Sequence, residues 1–135
     1  MELKHLAGIA AFLSLFESAL ILMGMLAPVA TYSPGNVVFL IARSIIILYS
    51  GWIVSKSGIK QAARNGIVIA SASTMVFILA SIFGFLIRTP LLGMEMNANP
   101  IAIGIMLIAV LIANIILDAI LASIAAFIAG FIKKS

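Results

Sequence analysis

Ser55-Lys56-Ser57-Gly58-Ile59-Lys60-Gln61-Ala62-Ala63-Arg64-Asn65 decides the architecture, because it is the internal run that brings three cations close together in an otherwise apolar chain. It divides the sequence into two hydrophobic halves. Each half reads as a helical hairpin, and the cations mark the side of a bilayer on which the hairpins meet.

The flanking composition fits that reading. Of 135 residues, 64% are hydrophobic and 9% charged, with a mean hydropathy of +1.32. A water-soluble fold of this composition would expose large contiguous apolar patches. The sequence therefore predicts an all-α membrane protein with four transmembrane helices, spanning 6–27, 35–55, 66–87 and 101–132 in a single membrane domain. The basic turn covers 55–65. The run from Leu6 to Ala27 exceeds the ~7–15 apolar residues of a secretory signal, and Pro28 stands where a small-residue cleavage site belongs, so it reads as a retained span. Ser33-Pro34 and Asn99-Pro100 are cap-plus-proline signals for the starts of the second and fourth helices.

Orientation comes from the short polar segments. Lys4, then Lys56, Lys60 and Arg64, then Lys133 and Lys134 fall on one side of a four-pass chain, and Arg88 falls on the other. The positive-inside rule then makes both termini cytoplasmic. The expected location is the plasma membrane as a multi-pass protein, with the lipid bilayer as its first partner. The net charge of +4 serves topology, so no nucleic-acid partner is expected.

The punctuation suggests two parallel hairpin repeats. All four prolines lie in the outer loops, with Pro28 and Pro90 after helices one and three and Pro34 and Pro100 before helices two and four. Gly51-Trp52-Ile53 precedes Lys56-Ser57, as Gly130-Phe131-Ile132 precedes Lys133-Lys134-Ser135. Such repeats would be related by an axis along the membrane normal. The interval from Pro100 to Gly130 is much longer than that from Pro34 to Gly51. Helix four, ~48 Å if unbroken, is expected to be continuous with its first turns outside the hydrocarbon core; a break near Asn114 is the alternative.

Three ionisable side chains fall inside the spans: Glu17, Arg43 and Asp118. Charge at the centre of a bilayer costs on the order of 2.5–3.5 kcal/mol on insertion scales, so each needs compensation. Glu17 and Arg43 lie at nearly equal distances from the outer ends of adjacent helices, and an ion pair between them is the expected solution. Asp118, with Asn114 one turn outward on the same face, has three roles open to it: sharing Arg43, bonding as a neutral acid, or facing a partner subunit. These four residues form the candidate intramembrane cluster, as a polar knot that locks helices or as a proton or cation relay.

The remaining features are structural. Ala122, Ala126 and Gly130, and likewise Ala80 and Gly84, recur every four residues and offer small faces for helix packing. Ser71, Ser73 and Thr74 are expected to bond to their own helix backbone, with lining a polar path as the alternative. Trp52 suits an interfacial anchor.

His5 is the single histidine and cysteine is absent, so no second imidazole and no thiolate are available to a metal or haem site, and no intramembrane Ser-His arrangement can be built. No cofactor and no enzymatic activity are expected.

A lone glutamate, Glu17, in the first of four spans resembles the small multidrug resistance transporters. That resemblance implies an antiparallel dimer in which Glu17 binds protons and substrate. The chain departs from the family in lacking a tryptophan in helix three, in carrying Arg43, in the length of helix four and in its one-sided charge. Gly51-Trp52, Gly130-Phe131 and the isoleucine-rich spans also resemble a group of uncharacterised small four-pass membrane proteins, chiefly archaeal, which implies no activity. The expected function is an accessory or structural subunit, or a self-assembling scaffold, with other membrane subunits or further copies as partners. The alternative is a small proton- or cation-coupled transporter or channel using the intramembrane carboxylates.

Overall fold

The computed structural model describes residues 3–29, 33–87 and 99–133, the side chain of Lys133 excepted. Arg88, Pro90 and Lys134 lie outside the described residues. The order is α1 (Leu3–Leu22), α2 (Pro34–Ile53), a 3-10 turn at Ser55–Ser57, α3 (Ile59–Leu86) and α4 (Pro100–Lys133). All four helices are long and apolar enough to cross a membrane.

Local chemistry sets their ends. Ser33 caps α2 through a capping box, its hydroxyl accepting from the Asn36 N–H while the Asn36 side chain accepts from the Ser33 N–H at 3.1 Å. The Asn36 amide also donates to the Ala27 carbonyl at 3.0 Å, tying the start of α2 to the preceding loop. The Asn99 side chain accepts from the Ile101 N–H at 2.9 Å at the start of α4.

Two boundaries differ from the sequence reading. α1 stops at Leu22, well before Ala27, because Gly24 adopts a left-handed φ of 77° and ends the helix. The Gly24 N–H reaches the Ile21 carbonyl and the Met25 N–H the Leu20 carbonyl, the paired bonds of a Schellman motif. α3 begins at Ile59 rather than near Gly66, so Lys60, Gln61, Arg64 and Asn65 occupy its first turns and the connection from α2 is short. Gly58, with φ of 95°, makes the reversal. α4 is continuous over 34 residues, ~51 Å, with no break at Asn114.

Named contacts give the helix directions. Ser14 meets Ser73 and Ile21 packs with Phe77, so α1 and α3 run the same way. Arg43 meets Asp118 and Gly51 meets Ala122, so α2 and α4 also run together. Gly66 meets Asp118 and Thr74 meets Asn114, so α3 and α4 are antiparallel. α3 packs against all three other helices, and α1 lies diagonally across from α4.

Two apolar clusters fill the interior. The one nearer the α2–α3 turn joins Leu6, Ala10, Ile47, Ala62, Ile69, Ala122 and Ala126. The other, at the opposite end, joins Ile21 and Phe77 with Leu22, Leu26, Val29 and Ala80 around them.

The small residues expected at helix contacts divide. Ala122 and Ala126 are buried in the first cluster, Ala80 packs on the second and Gly84 is buried. Gly130 is different: a Cβ there would meet nothing within 4 Å, and Ala129 is the residue that turns inward. The closest approaches instead use Gly51, where a Cβ would collide with the Ala122 backbone, and Gly66, where it would stand 2.5 Å from the Asp118 carbonyl oxygen. Gly51 and Gly130, aligned by the sequence repeat, thus occupy different environments.

Candidate functional site: a polar layer across four helices

Between the two apolar clusters each helix contributes polar side chains. The buried stripe of α1 is Leu6, Ala10, Ser14, Ser18 and Ile21, at helical three- and four-residue spacing. Its small members let α3 come close, and the Ser14 and Ser73 hydroxyls bond at 2.8 Å. The Arg43 Nε–H of α2 donates to the same Ser73 Oγ at 3.0 Å, and the Arg43 Nη2 forms an ion pair with the Asp118 carboxylate of α4. One turn along, the Asn114 amide donates to the Thr74 hydroxyl at 3.4 Å.

The layer runs from Ser14 through Ser73 and Arg43 to Asp118, touching every helix. The Asp118 side chain is 5% exposed and that of Arg43 15% exposed. A pair so enclosed needs both the Coulombic attraction and supplementary hydrogen bonds to offset desolvation, and Ser73 supplies one. Chemically the arrangement cancels two charges and holds four helices in one register.

This corrects two sequence expectations. Arg43 takes Asp118 as its ion-pair partner instead of Glu17. Ser73 and Thr74 bond across helices instead of to their own backbone. Depth along the helices suggested the Glu17–Arg43 pair, but depth does not specify rotation. At ~100° per residue, Glu17 points toward the start of α2 while Ser14 and Ser18 face α3. Glu17 is half-buried, has the Asn36 side chain as its hydrogen-bonding neighbour and feels the Arg43 charge.

Ser14, Ser73 and Gly66 were not singled out as site residues from sequence. A glycine inside a helix, at a depth where another helix carries a buried charge, is the signal that could have drawn attention to Gly66. No comparable signal separates Ser14 from other serines.

Ser18 is 1% exposed, and its hydroxyl has no hydrogen-bond partner among the described residues. Among the described residues no group of three His, Cys, Asp or Glu side chains could hold a metal ion. Compared with protein-family models, with curated proteins and with solved structures, the chain matches none.

Proposed function

We propose that this is a small multi-pass membrane protein that works by assembly, as an accessory or structural subunit of a membrane complex or as a scaffold of its own copies. The observation that carries this reading is the state of α4. It is the most apolar helix, yet 6% of its most apolar stretch is buried, against 22–33% in the other three. From Pro100 to Leu117 its one buried side chain is Leu107, and Ile101, Ile105, Ile108, Ile112 and Ile116 all point outward. The Arg43–Asp118 pair adds support, since it leaves those charges occupied within the bundle.

In this reading both termini are cytoplasmic in the plasma membrane, the two hairpins descend from parallel repeats, and neither catalysis nor a cofactor is involved. The like directions of α1 with α3 and of α2 with α4 suit that repeat.

The test is mass determination after gentle extraction from the native membrane. A fixed stoichiometry with other subunits or with itself is the expected result, disrupted by Ile108→Arg on the open face of α4. A lone monomer would overturn the reading.

Glu17 favours a second reading, proton- or cation-coupled transport, because it is the intramembrane carboxylate that Arg43 does not pair with. Under that reading Glu17→Gln abolishes flux in proteoliposomes and leaves the oligomer intact. Under assembly there is no flux to lose.

A further inference from the structure

An open groove of about 390 Å³ runs along one side of α4 next to the start of α3, lined by Ile59, Ala119, Ile120, Ser123, Ile124 and Phe127. Its single polar side chain is internally satisfied, since the Ser123 hydroxyl donates to the Ala119 carbonyl at 2.7 Å. The wall is therefore apolar along its length. Ile59, at one end, is the first residue of α3, and it is flanked by Lys56 in the preceding 3-10 turn and by Lys60.

Both lysines are exposed and neither makes an ion pair or hydrogen bond to a described residue. Arg64, one turn beyond Lys60 on the same face, is exposed too, and no acidic residue sits in the first turn of α3. Cations at a helix N-terminus repel the positive end of its dipole. An anion is the missing complement at this end, and a hydrocarbon chain is the complement of the groove that leads away from it.

From this pairing of an apolar trough with an unneutralised basic end, we infer that the groove holds one acyl chain of an anionic phospholipid whose headgroup phosphate sits against Lys56 and Lys60. The bound lipid lies along α4 from Phe127 toward Ala119, and its charge is recognised in the turn between the hairpins. This site is distinct from the Arg43–Asp118 layer and does not depend on the assembly reading.

The chain has one tryptophan, Trp52 on α2, which makes a two-reporter experiment possible. In Trp52→Phe/Phe127→Trp the reporter lies in the groove; in the native chain it lies on another helix near the same end. Each protein is reconstituted in phosphatidylcholine vesicles containing chain-brominated phosphatidylglycerol or chain-brominated phosphatidylcholine, and fluorescence quenching is followed against mole fraction. The groove reporter is expected to be quenched at lower mole fractions of the glycerol lipid, with Trp52 showing no such preference. Lys56→Gln/Lys60→Gln should reduce the preference roughly fivefold per lysine, as ~1 kcal/mol per cation requires. Lys56→Arg/Lys60→Arg should keep it.

Equal quenching of the groove reporter by the two lipids would overturn the inference. So would equal preference at both reporters, which indicates general surface attraction. A groove reporter that neither lipid quenches would do the same.

Discussion

Gly66 rests the backbone of α3 directly on that of α4 at Asp118, so that a Cβ on Gly66 would come within 2.5 Å of the Asp118 carbonyl oxygen. The close approach brings Ser73 and Asp118 within reach of one guanidinium from α2.

Gly66→Ala should therefore force α3 and α4 apart and cost ~1–3 kcal/mol, the usual range for overpacking. Gly51→Ala, which meets the Ala122 backbone, should behave alike. Gly130→Ala and Gly104→Ala meet open space and should be neutral or stabilising by up to ~1 kcal/mol, through helix propensity. Unfolding titrations in mixed micelles would rank the four. A Gly66→Ala protein as stable as Gly130→Ala would contradict the packing described.

Removing one member of the Arg43–Asp118 pair leaves a buried charge alone. Arg43→Met or Asp118→Leu should each destabilise by ~3–5 kcal/mol, with the double variant no worse than either single. Glu17→Gln, by contrast, should cost far less than either single variant, because no ion pair is lost. A double-mutant cycle reads the coupling directly. Additive single effects, or a larger loss at Glu17 than at Asp118, would show that Arg43 has a different partner.

The two serines on the inward stripe of α1 should respond in opposite ways. Ser14→Ala breaks the bond to Ser73 and should cost ~0.6 kcal/mol, with ~1.7 kcal/mol as the upper end for such bonds in membrane bundles. Ser18→Ala removes an unsatisfied buried hydroxyl and should be neutral or stabilising. Side-by-side midpoints in the same micelle decide the matter.

Gly24 ends α1 in a left-handed conformation that a side chain adopts at a cost of ~1–2 kcal/mol. Gly24→Ala should lose about that much and Gly24→Asn less, since asparagine tolerates the region. Equal stability of all three proteins would mean that α1 continues past Leu22.

Much of the helix punctuation was legible in advance. Ser33-Pro34 and Asn99-Pro100 begin helices where their chemistry says they should. The ends less well read, Gly24 and Gly58, are both positive-φ glycines, which look like any other glycine in an apolar run. The site was legible in its members more than in its pairing. Arg43, Asp118 and Asn114 stood out as polar residues inside spans; Ser73 stood out only as a serine expected to bond its own helix, and Ser14 did not stand out at all.

By itself the sequence determined the class, the number of long apolar helices and the residues too costly to leave alone in lipid, because those follow from composition and from period along a single chain. Tertiary structure decided which carboxylate Arg43 takes and which glycines let backbones meet. These depend on the rotation of each helix about its own axis. In a soluble protein an apolar stripe reveals that rotation, but lipid is as apolar as the bundle interior and erases the contrast. Depth alone therefore favoured Glu17, until helix packing turned Asp118 toward Arg43 and left Glu17 beside Asn36.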